Sequence, residues 1–122
     1  METEKTEISV QEKGAGIMKQ TYYKLVRDKI PGIIEAQGKC CVVRKLSDEA
    51  YLEMVDAKLD EELAEYHKDQ NLEELADLME VIYAAAEARG YTREELEQVR
   101  RKKAAERGEF RKRLLLLEVQ DS

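Results

Sequence analysis

The sequence predicts an all-α fold, in which an antiparallel helical hairpin or bundle contains most of the chain. Three observations lead to this prediction. Apolar residues recur every three or four positions, helix-capping residues stand at the ends of those stretches, and turn-forming residues are scarce. The 122 residues include one Pro and six Gly. This composition disfavours a β-sandwich or barrel, because such folds turn every few residues.

The first short elements are predicted between Asp28 and residue 46. Asp28 is a candidate N-cap for a short helix with Pro31 in its first turn and Gly38 at its end. The run that follows, residues 40–46, is rich in β-branched side chains and predicts a strand. We expect this strand to form a small two-stranded element with residues 114–119.

Two long helices are predicted to form the hairpin. Ser47 is a candidate cap for the first helix, whose apolar stripe comprises Leu52, Val55, Leu59, Leu63 and Tyr66. Asn71 is a candidate cap for the second, whose stripe before Gly90 comprises Leu72, Leu75, Met79, Ile82 and Ala86. Both stripes, and Tyr83, are expected in the core or at an interface. Thr92 and Glu95 have the spacing of a capping box and open a third helix that Gly108 ends.

Domain organisation is predicted to be simple. Residues 1–20 are polar without sustained periodicity and are expected to form a flexible tail, with Met18 as a candidate natural start. Residues 21–119 are expected to form a single helical domain, and residues 120–122 a second tail.

Charge and cysteine content narrow the functional classes. The net charge is −6, yet residues 100–113 carry eight Lys or Arg against two Glu, which is +6 and leaves −12 on the remainder. The overall acidity disfavours binding to nucleic acid or anionic membranes. Adjacent Cys40 and Cys41 indicate free thiols in a reducing compartment. Because apolar runs are too short for a membrane span or signal peptide, we expect a cytoplasmic protein without a membrane partner.

Carboxylates are concentrated where the two long helices would fold back on each other. With a turn at Asp69–Gln70, Glu65 and Glu74 each lie four residues from the turn, and Glu62 and Asp77 each lie seven. An antiparallel hairpin would therefore place Glu65 level with Glu74 and Glu62 level with Asp77. The two pairs would be about 4.5 Å apart along the helix axis. Such a cluster is costly without a cation. Mg²⁺, or Mn²⁺ as an alternative, suits carboxylate ligands.

Ordinary structural roles compete with the metal site. Glu74 has the spacing of a capping-box partner for Asn71, and Glu61, Glu65 and Glu73 have the character of solvated helix residues. A di-iron bundle is disfavoured, because it requires Glu-x-x-His pairs and His67 has Ala64 three residues before it. We interpret His67 as a residue at the surface or at the hairpin end.

The ordered motifs resemble a known superfamily. "EELAE" (Glu61–Glu65) and "ELAD" (Glu74–Asp77) are similar to the EExxE and ExxD signatures of the all-α, MazG-like nucleoside triphosphate pyrophosphohydrolases, which include phosphoribosyl-ATP pyrophosphohydrolase. "YKLVRDKIPGIIEAQGK", "LSDEAYLE", "NLEELADLMEVIYAAAEARGYT" and "KAAERGEF" resemble its short, single-domain house-cleaning branch. The similarity runs from about Tyr22 to Val119. The eight residues between the two signatures, 66–73, are fewer than in most of the superfamily.

The resemblance implies Mg²⁺-dependent hydrolysis of a nucleoside triphosphate to a monophosphate and pyrophosphate. It implies that Glu62, Glu65, Glu74 and Asp77 ligate the metal, and that Glu61 is a further catalytic acid that orients water or helps to hold a second ion. It also implies a homodimer or higher homo-oligomer.

Basic side chains are predicted to bind the substrate phosphates and the pyrophosphate leaving group. The candidates are Lys24, Arg27, Lys29, Lys102, Lys103 and Arg107. The competing interpretations are an Arg27–Asp28 ion pair and a solvated basic face on the C-terminal helix.

Three functions follow as hypotheses. The leading one is house-cleaning hydrolysis of non-standard nucleoside triphosphates. The second is the phosphoribosyl-ATP step of histidine synthesis. The third, of another class, is a non-catalytic helical interaction module.

Overall fold

A computed structural model describes residues 10–11 and 19–121 of the chain. This part is mostly helical, and the predicted all-α fold is confirmed. The helices are α1 (Ile30–Ala36), α2 (Asp48–Asp69), α3 (Leu72–Ala88) and α4 (Arg93–Arg107). None of these helices combines the length and apolar character that crossing a bilayer requires.

Helices α2 and α3 form the predicted hairpin, and local hydrogen bonds fix its ends. The Ser47 hydroxyl accepts a bond from the Ala50 amide (3.3 Å) at the start of α2. Gln70 ends α2 in the left-handed conformation (φ 51°) and turns the chain. The Asn71 side chain then accepts from the Glu74 amide (2.9 Å) to cap α3. Both predicted caps are confirmed, and the turn occupies the expected place.

The start of α1 differs from the prediction. The helix begins at Ile30, with Pro31 in its first turn, and Lys29 rather than Asp28 stands at the N-cap position without a side-chain cap bond. Gly38 follows the helix with φ 83°, a conformation that glycine adopts readily. The N-cap predicted at Asp28 is therefore wrong by one residue.

Three two-residue strands form a small antiparallel sheet. They are β1 (Val10–Gln11), β2 (Lys19–Gln20) and β3 (Cys40–Cys41), in the order β2-β1-β3. The strand predicted over 40–46 is thus limited to Cys40–Cys41, and its partner is Val10–Gln11 rather than residues 114–119. The latter segment has no regular structure. Its consecutive leucines lack the alternation that places one face of a strand in a core.

The predicted N-terminal tail, residues 1–20, lies mostly outside the described residues. Its two described pieces, β1 and β2, belong to the sheet. On β3, the Cys41 thiol donates to the Pro31 carbonyl (3.8 Å) and so links the sheet to α1. Burial raises the pKa of this thiol, with smaller contributions from Glu35 and Cys40. Both cysteines are free thiols, as predicted.

Helix α4 begins with the predicted capping box. The Thr92 hydroxyl accepts from the Glu95 amide (3.0 Å), and the Glu95 carboxylate accepts from the Thr92 amide (2.9 Å). Near this end, the Arg93 guanidinium lies 4.4 Å from the centre of the Tyr83 ring and connects α4 to α3. Gly108 ends the helix, as expected.

The buried interior of the described part is unusual in composition. Val55 (1% exposed) is the one hydrophobic residue of the described part that is almost completely buried. Four glutamates are also at most 7% exposed: Glu61, Glu62, Glu65 and Glu74. The α3 stripe instead faces solvent in a single chain, with exposed fractions of 80% for Leu72, 40% for Leu75, 51% for Met79 and 39% for Ile82. The stripe is therefore not an intrachain core, and its predicted role at an interface stays a prediction.

Shortening Val55 tests the packing of α2 in the folded chain. Val55→Ala removes two methyl groups from a fully buried position and is expected to lower the free energy of unfolding by about 2 kcal/mol. Val99→Ala is the matched control, because Val99 is helical but 56% exposed. Urea denaturation measures both variants. Equal shifts of the two midpoints would contradict the assignment of Val55 to the core.

Candidate metal centre

Carboxylates from both arms of the hairpin converge near its closed end. Glu62 of α2 and Glu74 and Asp77 of α3 offer oxygen atoms that lie within 4.8 Å of one another. Glu65, Asp69 and Glu74 form a second group of the same dimensions. Since Glu74 belongs to both groups, the five side chains constitute one acidic cluster. The two pairs expected from equal distances to the turn, Glu62 with Asp77 and Glu65 with Glu74, are each brought together.

Local helical geometry explains why these side chains share one region. Residues three or four apart lie on the same helical face, which applies to Glu62 with Glu65 and to Glu74 with Asp77. The Asn71 cap fixes the first turn of α3 and therefore the position of Glu74. The short turn keeps the two arms adjacent. The hairpin therefore presents acids from both helices to one volume.

Most of the acidic cluster is removed from solvent. The exposed fractions are 2% for Glu62 and 7% for both Glu65 and Glu74. The Asp77 side chain is 24% exposed, and Asp69 is exposed at the rim. The Oε2 atom of Glu65 is buried and accepts no hydrogen bond from the described residues. Buried carboxylate oxygens are nearly always paired, so this atom favours a cation or an ordered water beside it.

The donor set fits a hard divalent cation. It consists of carboxylate oxygens, which Mg²⁺ and Mn²⁺ prefer. Ligand oxygens on opposite sides of Mg²⁺ are about 4.2 Å apart, because each metal–oxygen bond is about 2.1 Å. Oxygen atoms within 4.8 Å of one another therefore need only small side-chain movements to reach that spacing.

Glu61 lies outside both groups of converging acids. Its Oε2 is 2.8 Å from the Lys24 ammonium, and its Oε1 is 2.5 Å from the Lys58 ammonium. The three side chains are 3–12% exposed, so this is a buried charged triad. Lys58 also lies 3.7 Å from the Glu62 carboxylate and thus joins the triad to the acidic cluster.

Two of the six predicted phosphate-binding residues lie beside the predicted acids. Lys24 contacts Glu61, and Arg27 donates to Asp77 at 2.6 Å. The Arg27 contact replaces the alternative Arg27–Asp28 ion pair. The four others are exposed, and across residues 10–11 and 19–121 no ion pair joins the acidic cluster to Lys29, Lys102, Lys103 or Arg107. Their phosphate-binding role stays a prediction.

The sequence reasoning missed two members of the site, Asp69 and Lys58. Asp69 follows Glu65 by four residues, and Lys58 precedes Glu62 by four, so helical spacing was a usable signal for both. His67 is exposed near the hairpin end, with its ring centre 5.9 Å from that of Tyr66. Its predicted surface position is confirmed.

Comparisons with known proteins identify no family for the chain. No family model matches the sequence, and no solved structure matches it. An uncharacterized protein of Mycolicibacterium smegmatis (strain ATCC 700084 / mc(2)155) is 57% identical over 42 residues, which cover 34% of this chain and 43% of that protein. The matched region is thus less than half of the relative. The resemblance to MazG-like enzymes stays a prediction.

Replacing Glu65 by Gln tests the electrostatic cost of the acidic cluster. The neutral amide removes one buried negative charge, and its nitrogen can donate to a neighbouring carboxylate. In buffer with EDTA, we expect Glu65→Gln to raise the free energy of unfolding by about 1 kcal/mol. Glu73→Gln, exposed on the first turn of α3, should change it by no more than about 0.5 kcal/mol. A Glu65→Gln variant less stable than the parent would show that the charge is well accommodated.

Proposed function

We propose that the chain is a Mg²⁺-dependent nucleoside triphosphate pyrophosphohydrolase, which releases a nucleoside monophosphate and pyrophosphate from non-standard or surplus nucleotides. The observation that carries the proposal is the convergence of five carboxylates at the closed end of the hairpin. Four of them, Glu62, Glu65, Glu74 and Asp77, are the acids matched to the EExxE and ExxD signatures. The ordered motifs outside the hairpin support the same reaction.

The buried members of the acidic cluster would hold the cation. Glu62, Glu65 and Glu74 are buried within the hairpin and would contribute most of the oxygen donors, while Asp77 would complete the set from the edge. When bound, Mg²⁺ would neutralise phosphate charge and activate water. Asp69, the exposed member at the rim, would accept a proton from water.

The basic residues would divide into two roles. Lys24 and Lys58 hold Glu61 between them, so we assign Glu61 to the positioning of these two cations beside the acidic cluster. The Arg27 guanidinium is 58% exposed and approaches Asp77 through one nitrogen. Since a guanidinium has five N–H donors, Arg27 can bind a phosphate oxygen while it remains near the acidic cluster.

Substrate identity is tested by product analysis. Purified protein with Mg²⁺ is incubated with a panel of standard and modified nucleoside triphosphates and with phosphoribosyl-ATP, and the phosphate products are identified. We expect pyrophosphate and a monophosphate from members of the nucleotide panel. Turnover of phosphoribosyl-ATP alone would favour the histidine-synthesis reaction instead. If the protein hydrolyses none of these compounds and Mg²⁺ does not change its stability, a non-catalytic module is favoured.

Charge-neutralising variants of the acidic cluster provide the second test. Glu62→Gln and Asp77→Asn should each lower kcat/KM on the order of 100-fold or more, because the ion supplies several kcal/mol of transition-state stabilisation. Mg²⁺ at 100 times its Kd should stabilise the parent protein by about 2.7 kcal/mol, and Glu62→Gln should lose most of this effect. Glu73→Gln serves as the control and should retain both properties. Unchanged activity in both cluster variants would refute the assigned ligands.

We also propose that a second copy of the chain covers the outer face of α3, which gives a homodimer or a larger homo-oligomer. Four members of the α3 stripe, Leu72, Leu75, Met79 and Ile82, are 39–80% exposed and lie on one helical face. Because the interior buries little apolar surface, association would supply the missing burial.

Charged substitutions on the stripe test this association. Light scattering after gel filtration should show an assembly of two or more copies for the parent, and mainly monomer for the double variant Leu75→Glu/Met79→Glu. Glu73→Lys is the matched control, since Glu73 is exposed on α3 and lies three or four residues from no member of the stripe. A monomeric parent at concentrations well above the micromolar range would contradict the proposal.

A further inference from the structure

A segment without regular structure, residues 21–29, crosses the hairpin beside the acidic cluster and is called the connecting segment below. Its Lys24 contacts Glu61 of α2, and its Arg27 contacts Asp77 of α3. Between the first half of this segment and α2 lies a cavity of about 150 Å³. The cavity is therefore next to the candidate metal centre but distinct from it.

The walls of the cavity are aromatic and apolar. Tyr22 and Tyr23 line it from the connecting segment, and Met54 and Ala57 line it from α2. The Tyr22 hydroxyl donates to the Gln20 side chain, which restrains the ring. Aromatic and thioether side chains around a small cavity are suited to a planar ring system, because such ligands bind by stacking and apolar contact.

Tyr23 has an uncommon backbone conformation for a large side chain. Its φ is 54°, in the left-handed region, and the side chain is 82% exposed. Bulky residues rarely adopt this conformation, and such outliers concentrate at ligand-binding sites. Here the conformation holds an aromatic ring in solvent at the edge of the cavity. The exposed ring is available to stack on a ligand.

Charged side chains also line the cavity and connect it to the metal centre. They are Lys24, Lys58 and Glu61. Lys58 also approaches Glu62 at 3.7 Å. A ligand with its ring between Tyr23 and Met54 would thus have an attached anionic chain within reach of the acidic cluster.

Size further restricts the ligand. Sites for whole drug-sized ligands enclose about 300–1,000 Å³, so a cavity of about 150 Å³ accommodates only part of a nucleotide. Its apolar walls fit the base better than the hydroxyl-rich sugar or the phosphates.

We propose that this cavity binds the nucleobase of the substrate, with Tyr23 as the stacking residue; the proposal rests on the pyrophosphohydrolase function. Tyr23 thereby contributes to the affinity for nucleotides, whereas the acidic cluster and Arg27 act on the phosphates. Recognition of the base is then assigned to the connecting segment, outside the helical hairpin.

The test compares ligands with and without a base. Equilibrium dialysis with Mg²⁺ measures the Kd of the α,β-methylene analogues of ATP, GTP, CTP and UTP, and of inorganic tripolyphosphate. Tyr23→Ala should weaken binding of the best analogue on the order of tenfold and leave the Kd of tripolyphosphate unchanged. Ala57→Leu, which fills the cavity from α2, should have the same selective effect. Tyr91→Ala is the control, because Tyr91 is 58% exposed outside the cavity.

The outcomes separate this inference from the proposed function. If nucleotides are hydrolysed while Tyr23→Ala binds the analogues as tightly as the parent does, the base site is refuted and the function stands. Equal weakening of the analogues and of tripolyphosphate would also refute it, because the variant would then affect phosphate binding. If the parent binds tripolyphosphate but none of the analogues, the base site is refuted. If the parent binds neither and hydrolyses nothing, both proposals fail.

Discussion

The burial of four glutamates inside a two-helix hairpin is the constraint on which the rest of the structure depends. Glu61, Glu62, Glu65 and Glu74 are each at most 7% exposed. A buried carboxylate is strongly destabilising unless an opposite charge or several hydrogen bonds compensate it. The chain meets this requirement in two ways. Glu61 is placed between two lysine ammonium groups, while the other three converge with further acids in a volume that favours a bound cation.

This requirement explains the course of the connecting segment. Residues 21–29 lack the backbone hydrogen bonds of a helix or strand along most of their length, so side-chain contacts must hold them against the hairpin. Two ion pairs provide these contacts. Lys24 pairs with Glu61 of α2, and Arg27 pairs with Asp77 of α3. The buried Lys24 pair is the stronger anchor, because the Arg27 pair is largely exposed and solvent screens it. Loss of the Glu61 charge would therefore loosen this segment more than loss of the Asp77 charge.

The sequence predicted what depends on local spacing and missed what depends on distant contacts. The Ser47 and Asn71 caps and the meeting of acids at equal distances from the turn follow from helical geometry. The burial of Glu74 and the exposure of Met79 contradict the usual rule that apolar side chains face inward, and such exceptions are expected at functional sites. The pairing of Lys24 with Glu61 could not be predicted from the sequence, because 21 basic and 27 acidic residues allow many alternative ion pairs.

A charged interior and an apolar exterior have a common thermodynamic consequence. The isolated chain buries repulsive charge and exposes apolar surface, and both features lower its stability. Under the proposed function, a cation in the acidic cluster and a second copy on α3 each correct one of these deficits. Both bind the folded chain in preference to the unfolded one, so each stabilises it by mass action. The hairpin provides both the acidic cluster and the outer face of α3. Ion binding and association would therefore each increase the population of the folded hairpin, and each requires that folded hairpin.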